Sequence, residues 1–219
     1  MEHNIISIHT LKGKNVICKY ISFEEILPYW HQLWPGRVSE IKPLSSIQYC
    51  GRTDMSIYEK ATPSFFAIEV DGEIIAVGAG FSTTETLYRG RGLWVREDFR
   101  GLGYGRRMLA LMCRQCRIEG RMKTWGLITT ETEGFYSKVK FILTSDEVKN
   151  EVDEDGPYYF MIRDSYEPMT YMGDWEGVED VIEKRPEDFN GAVEYCGTDG
   201  KPIEYDDIDP IEFLNGTDI

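Results

Sequence analysis

Three glycines alternate with other residues in the segment Arg100-Gly101-Leu102-Gly103-Tyr104-Gly105-Arg106. The segment follows a strand-like stretch and opens the most regular helical pattern of the chain. Glycines let a ligand approach the backbone, and the first turn of a helix offers unpaired N–H donors at the positive end of its dipole. Arg100 and Arg106 add positive charge. This combination is typical of a site for a pyrophosphate.

Two other phosphate-binding motifs do not fit this segment. A dinucleotide-binding loop needs G-x-G-x-x-G directly after a strand, whereas the spacing here is G-x-G-x-G and five residues separate Val95 from the first glycine. A P-loop ends in G-K-[ST], which is absent here. The glycines alone leave open a turn that merely leads into a helix.

The cysteines and histidines of the chain are not spaced as metal ligands usually are. Cys113 and Cys116 form a C-x-x-C pair inside the helical pattern, and no second pair follows at zinc spacing. His3, His9 and His31 are scattered. We therefore expect packing thiols and no metal.

Hydrophobic periodicity and turn signals place the glycine segment within a mixed α/β pattern. Ser22 and Glu25 form a capping-box pattern before the first helix. Asp71-Gly72 predicts a hairpin turn, and Gly90 and Gly92 weaken a strand or mark a bulge. The predicted strands are 16–21, 63–70, 73–81, 86–95, 123–130, 141–144 and 157–163, and the predicted helices are 22–34, 104–119 and 134–138, with a further short helix within 37–62.

Charge divides the chain into two parts. The 219 residues carry a net charge of −14. Residues 165–219 contain 16 acidic and 3 basic residues, whereas the first 164 contain 22 acidic and 21 basic. This balance argues against direct binding of nucleic acid. Five cysteines, no signal-like N-terminus and no apolar run of roughly 18–20 residues predict a cytoplasmic protein that does not span a membrane.

The glycine segment and its flanks resemble the GCN5-related N-acetyltransferases (GNAT). Arg100-x-x-Gly103-x-Gly105 is similar to the R/Q-x-x-G-x-G/A loop that binds the pyrophosphate of acyl-CoA in that superfamily. Leu93-Trp94-Val95 resembles its fourth strand. The stretches 129–132 and 135–141 resemble its fifth strand and the following "FYxKLGF" segment, and the resemblance extends over about 16–164.

The resemblance implies roles for individual residues. The backbone N–H of Val95 would polarise the thioester carbonyl, and the Tyr136 hydroxyl would donate a proton to the departing sulfur. Acetyl-CoA would be the co-substrate. It would be held by the strand residues and by the loop residues, which are Leu93, Trp94, Val95, Arg100, Gly101, Leu102, Gly103, Tyr104, Gly105 and Arg106.

Some parts of the site stay open at this level. Glu69, Glu85 and Glu131 are all candidates for the general base. Thr129 stands where the family often has Asn, which puts the hydrogen bonding at the acyl end in question. Lys140 stands where the family usually has Gly, so a different turn is expected before Phe141.

Two further groups bear on the acceptor. The aromatic residues of the first helix, Tyr29, Trp30 and Trp34, either pack in the core or line the acceptor cleft. Arg89 and Arg91, near the cleft, would favour an acceptor that carries a carboxylate or a phosphate.

The sequence thus predicts a GNAT-like mixed, mostly antiparallel sheet flanked by helices over 1–164, and an acidic, partly ordered C-terminal extension over 165–219. The predicted function is transfer of an acetyl group from acetyl-CoA to a primary amine, without a metal. Two alternatives remain: a catalytically silent scaffold whose extension binds a basic protein, and an acidic decoy that mimics nucleic acid. Docking of the extension on the body or on a second copy, which would give a homodimer, is a further expectation.

Overall fold

The computed structural model describes residues 5–34, 63–143 and 158–169. The predicted short helix within 37–62 and all of the acidic extension beyond Met169 lie outside these ranges. None of the described helices is long and apolar enough to cross a membrane. Element numbers below refer to the described residues.

The described strands form one mixed sheet in the order β1-β2-β3-β4-β5-β6-β8-β7. Neighbouring strands are antiparallel except for β5 and β6, which are parallel. The strands are β1 (Ile5–Leu11), β2 (Lys14–Tyr20), β3 (Ser64–Val70), β4 (Glu73–Ser82), β5 (Leu87–Val95), β6 (Lys123–Thr129), β7 (Ile142–Leu143) and β8 (Tyr158–Asp164). The predicted fold class is confirmed.

Three described helices accompany the sheet: α1 (Phe23–Leu33), α2 (Tyr104–Ile118) and α3 (Thr130–Ser137). The capping box at the start of α1 is present, since Glu25 N–H donates to the Ser22 hydroxyl and the Glu25 carboxylate accepts from Ser22 N–H. The sequence prediction was wrong in two places. It started α3 at residue 134, and it did not include β1.

Alternation along the strands divides the core into two apolar clusters on opposite faces of the sheet. Phe65 and Ala67 pack against α1, whereas Phe66 and Ile68 pack under α2. The apolar stripe predicted for α2, which includes Met108, Leu109, Leu111, Met112 and Cys116, is buried in the second cluster. One face of the sheet is therefore filled by α2, and α1 covers strands β3 to β5 on the other.

The packed body continues past the end of β8. Ser165 is fully buried, its carbonyl accepts from Arg117 Nη1 at 2.6 Å, and its hydroxyl lies 2.8 Å from the Thr124 hydroxyl. Met169 is also buried. The boundary after Asp164 stays a prediction, and a truncation that preserves these contacts has to end after Met169.

Candidate functional site

The parallel pair β5 and β6 separates towards its carboxyl end. Register pairs join Leu87 to Lys123, Tyr88 to Thr124 and Arg89 to Trp125, and there the pairing ends. Strand β5 nevertheless continues to Val95 and β6 to Thr129. The two strands therefore leave a gap between their carboxyl halves, the β5–β6 cleft. Backbone groups that face this cleft have no neighbouring strand within residues 5–34, 63–143 and 158–169 to pair with.

A bulge in β5 sets which backbone groups face the cleft. Arg91 pairs with Ala79 and Trp94 pairs with Val77, so β5 holds one residue more than β4 in this interval. Gly92 lies in the left-handed region, with φ of 62°, as in a bulge that begins with glycine. The expectation of a bulge at Gly90 or Gly92 is confirmed at Gly92.

The hydrogen bonds beyond the bulge orient Val95. Arg96 N–H donates to Ile75 O at 2.8 Å. Because hydrogen bonding to one neighbour alternates along an antiparallel strand, the backbone of Val95 points away from β4 and towards the cleft. Arg100 Nε donates to Val95 O at 3.1 Å. The Val95 N–H is thus presented to the cleft.

The link between β5 and α2 is fixed by charged and aromatic side chains. Residues Glu97–Phe99 form one turn of 3₁₀-helix. Arg96 donates to Glu73 and Asp98, each at 2.8 Å, and its guanidinium lies 4.4 Å from the centre of the Phe99 ring. Phe99 also contacts the ring of Tyr104 edge-on, with centroids 5.7 Å apart. These contacts hold the glycine loop in a defined position after the strand.

The glycine loop ends at the N-terminus of helix α2. Gly101 and Gly103 have φ values of 76° and 91°, which favour glycine. Gly103 is the N-cap of α2 and, as a glycine, supplies no side-chain cap of its own. Leu102 is 53% exposed. An anion that reaches the loop therefore meets the backbone donors and the positive end of the dipole.

Helix α3 packs against the first turn of α2. A Cβ placed on Gly105 would lie 3.2 Å from Phe135 Cζ and 3.6 Å from Val95 Cγ2. Phe135 and Tyr136 belong to the apolar cluster that also contains Leu93, Val95 and Tyr104. The structure thus brings the strand end, the glycine loop and the helix that carries Tyr136 together at one cleft.

Comparisons with known proteins agree with this geometry. Residues 61–143 match the family model described as "Acetyltransferase (GNAT) domain". This part of the chain is similar to the acetyltransferase domains of the GNAT family. No curated protein sequence matches it significantly.

Solved structures share the GNAT fold at low sequence identity. Ard1 from Thermoplasma volcanium is 19% identical, with a TM-score of 0.50 over 68% of this chain and 97% of that one. An aminoglycoside 6'-N-acetyltransferase solved with coenzyme A is 12% identical, with a TM-score of 0.52 over 70% of this chain and 99% of that one. At such identities the likeness shows the fold alone.

Tyr136 occupies an apolar setting within the region that matches the family model. Its ring contacts Phe135 and Phe141 edge-on, with centroids 5.0 Å and 5.3 Å away. Burial raises the pKa of Tyr136 to about 12. The hydroxyl therefore keeps its proton at neutral pH.

The three candidate general bases lie in different places. Glu85 precedes Val95 by ten residues at the other end of β5, a separation of about 30 Å along an extended strand. Glu69 forms an ion pair with Lys19 at 2.6 Å. Glu131 is exposed in the first turn of α3, on the same helix as Tyr136. Only Glu131 stands near the carboxyl end of a cleft strand.

The two departures from the GNAT pattern have clear structural outcomes. Thr129 caps α3 together with Thr132, whose hydroxyl lies 3.2 Å from the Thr129 nitrogen and donates to its carbonyl oxygen at 3.0 Å. Lys140 has φ of 65°, the conformation that favours glycine. The turn before Phe141 therefore keeps a left-handed residue, contrary to the expected difference. Sequence reasoning did not anticipate the α3 cap, because Thr at the fourth position replaces the usual Glu or Gln.

Aromatic residues and arginines meet on the α1 face of β5. Trp30 is fully buried, and Tyr29 packs on Trp94 with centroids 4.9 Å apart. The Arg91 guanidinium lies 5.0 Å from the Trp34 ring centre, and that of Arg89 lies 4.8 Å from the Trp125 ring centre. These aromatic and arginine side chains therefore share the face of β5 that lies opposite α2.

The cysteines of the C-x-x-C pair belong to the core. Cys113 and Cys116 are buried on α2, and burial raises the pKa of the Cys116 thiol to about 12. Across residues 5–34, 63–143 and 158–169 there is no group of three or more His, Cys, Asp or Glu side chains that could hold a metal.

Proposed function

We propose that this protein transfers the acetyl group of acetyl-CoA to a primary amine. The observation that carries the proposal is that the N-terminus of α2, entered through the glycine loop, directly follows a strand end whose Val95 N–H faces the cleft. An acyl-CoA needs both features, since its pyrophosphate is anionic and its thioester carbonyl develops negative charge during attack.

The loop residues, Gly101 to Arg106, would bind the pyrophosphate, and Arg100 and Arg106 would contribute charge. The buried ring of Tyr104 leaves its backbone as the part that can contact a ligand. Leu93, Trp94 and Val95 would pair through their backbone with the pantetheine arm. The aminoglycoside enzyme with the same fold was solved with coenzyme A, which supports this placement.

The reaction requires a neutral amine, a polarised carbonyl and a stabilised leaving group. The amine nitrogen attacks the thioester carbon, and the Val95 N–H stabilises the oxyanion that forms. As the C–S bond breaks, the Tyr136 hydroxyl donates to the departing thiolate. The attacking nitrogen loses one proton to solvent by way of Glu131, the best placed of the three carboxylates, and solvent returns one proton to Tyr136. Positioning of the two reactants supplies a further part of the rate.

Mass spectrometry of the purified protein with acetyl-CoA and a panel of amines tests the proposal. The panel should contain amino acids, peptides, aminoglycosides and polyamines, and free thiol should be followed in parallel. We expect one acceptor class to gain an acetyl group, with one equivalent of thiol released per acetyl transferred. Tight binding of acetyl-CoA without transfer to any amine, or no binding at all, would favour the scaffold interpretation.

A further inference from the structure

Trp30 connects helix α1 to the bulge in β5. Its side chain is fully buried, and its indole N–H donates to Gly92 O at 3.2 Å. Three aromatic rings contact Trp30 edge-on at centroid distances between 5.6 and 6.1 Å: Phe23, Trp34 and Phe65. The orientation of the indole is therefore fixed independently of the bulge.

The fit between Trp30 and Gly92 is close. A Cβ on Gly92 would lie 2.3 Å from Trp30 Nε1 and 2.7 Å from Cε2. Gly92 is thus required both by its left-handed φ and by the indole that covers it. Any other residue at this position would displace the ring or the strand.

The bulge reverses the alternation of β5. Before it, Arg89 and Arg91 lie on the α1 face, where they contact tryptophan rings. After it, Trp94 lies on the α1 face, and Val95 lies in the cluster under α2. Without the extra residue, Val95 would stand opposite Ile75 and direct its N–H at β4, because one step of register exchanges the two directions.

We propose that Trp30 is a positioning residue that holds the Gly92 bulge in place and so directs the Val95 N–H into the cleft. This proposal rests on the proposed function, in which that N–H polarises the thioester. Trp30 itself touches neither substrate. The hydrogen bond from Trp30 to Gly92 O stabilises the bulged register of β5, in which the Val95 N–H points into the cleft.

The first test compares Trp30→Phe with Ile26→Val in the full chain. Ile26 is fully buried on the same helix and in the same cluster, but it makes no hydrogen bond to the bulge. For Trp30→Phe we expect kcat to fall about tenfold, as for a weakened oxyanion donor. The dissociation constant for acetyl-CoA should change by less than about twofold, because the pyrophosphate loop is intact. Ile26→Val should lose thermal stability and keep kcat.

A second variant covers the case in which Trp30→Phe does not fold. Site-specific incorporation of 3-benzothienylalanine at position 30 keeps the bicyclic shape and removes the N–H. The matched control is the same replacement at Trp125, whose indole N–H donates to the Thr83 hydroxyl at 2.9 Å. The backbone ¹⁵N shift of Val95 should change in the first protein and stay unchanged in the second.

The outcomes separate this proposal from the proposed function. Wild-type kcat and an unchanged Val95 shift in the position-30 variants, with wild-type protein active, overturn the role of Trp30 alone. A wild-type protein that neither binds acetyl-CoA nor acetylates an amine overturns the proposed function. In that case the Val95 shift still decides whether Trp30 sets the backbone of the bulge.

Discussion

Helix α2 has a glycine at each end, and the two glycines have different roles. Gly103 at the start and Gly120 after the end both have positive φ, 91° and 71°. At the C-terminal end, Gly120 N–H donates to Arg117 O and Arg121 N–H donates to Cys116 O, the pair of bonds that closes a Schellman motif. At the N-terminal end the N-cap is Gly103, which supplies no side-chain cap of its own.

The side chains around the two ends follow the same contrast. Near the C-terminal end, Ser82 donates to Glu119 and accepts from Arg121, and Gln115 donates to Glu119 at 2.9 Å. Near the N-terminal end, the loop is exposed at Leu102 and opens beside the cleft. The C-terminal end of the helix is satisfied internally, and the N-terminal end follows the glycine loop, where we propose that the pyrophosphate binds. A glycine in the sequence does not by itself distinguish the two ends. The hydrogen bonds of the neighbouring backbone distinguish them.

The largest difference in kcat is expected between two variants that each lack one tyrosine hydroxyl, Tyr136→Phe near the start of α2 and Tyr88→Phe near its end. Tyr136→Phe is expected to lower kcat by roughly 10²-fold, because it removes the donor to the thiolate. The KM for acetyl-CoA should change little, since the ring still packs. Tyr88→Phe is the control, because Tyr88 is fully buried and lies in the field of Glu119 and Cys116. The kcat of both variants should be measured by steady-state kinetics under conditions where chemistry is rate-limiting. Equal kcat values in the two variants would show that the Tyr136 hydroxyl takes no part in the reaction.

Bulky substitution of the two glycines should affect binding at one end only. Gly103→Val is expected to weaken acetyl-CoA by at least about tenfold, or about 1.4 kcal/mol, because it blocks close approach of the pyrophosphate. Gly120→Val introduces comparable backbone strain at positive φ, so both variants should lose stability. Calorimetric titration of the two folded variants separates strain from binding. Equal affinity for acetyl-CoA would contradict the assignment of the loop.

The pKa of Tyr136 predicts a smaller effect on stability at alkaline pH. The folded-state pKa of about 12 lies above the ordinary value of 10.0, so above pH 10 the unfolded chain loses a proton that the folded chain keeps. Folding free energy is therefore lost as pH rises from 10 towards 12, by up to about 1.4 kcal/mol per pH unit for this group. Urea unfolding between pH 9 and 11 should show a steeper decline for wild type than for Tyr136→Phe. Parallel curves would mean that burial does not perturb this tyrosine.

The smallest effect is expected from Glu85. Its carbonyl accepts from Arg121 Nη1 at 2.9 Å, beyond the closed end of α2. Glu85→Gln should leave kcat and its pH profile within about twofold of wild type, since general acid–base residues must reach the reacting proton. Glu131→Gln serves as the comparison. Loss of the acidic limb of the profile in Glu85→Gln alone would contradict the position of the cleft, because that limb reports protonation of the general base.

Local signals in the sequence predicted much of this architecture. The Ser22 and Glu25 pair fixed the start of α1, Asp71-Gly72 predicted a turn that has positive φ at both residues, and Gly120 ended α2. These signals succeed because each depends on a few adjacent residues. The order of the cleft elements came from the resemblance to GNAT proteins.

Long-range pairing explains what the sequence did not reveal. Strand β1 is an edge strand with exposed Ile5 and Ile8, and only its pairing with β2 establishes it. The distance of Glu85 from the cleft depends on strand direction, and the role of Trp30 depends on a bulge 62 positions away. Lys140 shows a further limit, since a lysine at positive φ contradicts residue preference and is tolerated within a packed turn.

Amide hydrogen–deuterium exchange with and without acetyl-CoA tests the central claim most directly, because it maps the contact on both ends of α2 in unmodified protein. The account predicts that acetyl-CoA slows exchange in 93–95 and 101–107 and leaves 119–123 unchanged. Protection at 119–123 with none at the glycine loop, or no change anywhere at saturating ligand, would contradict it.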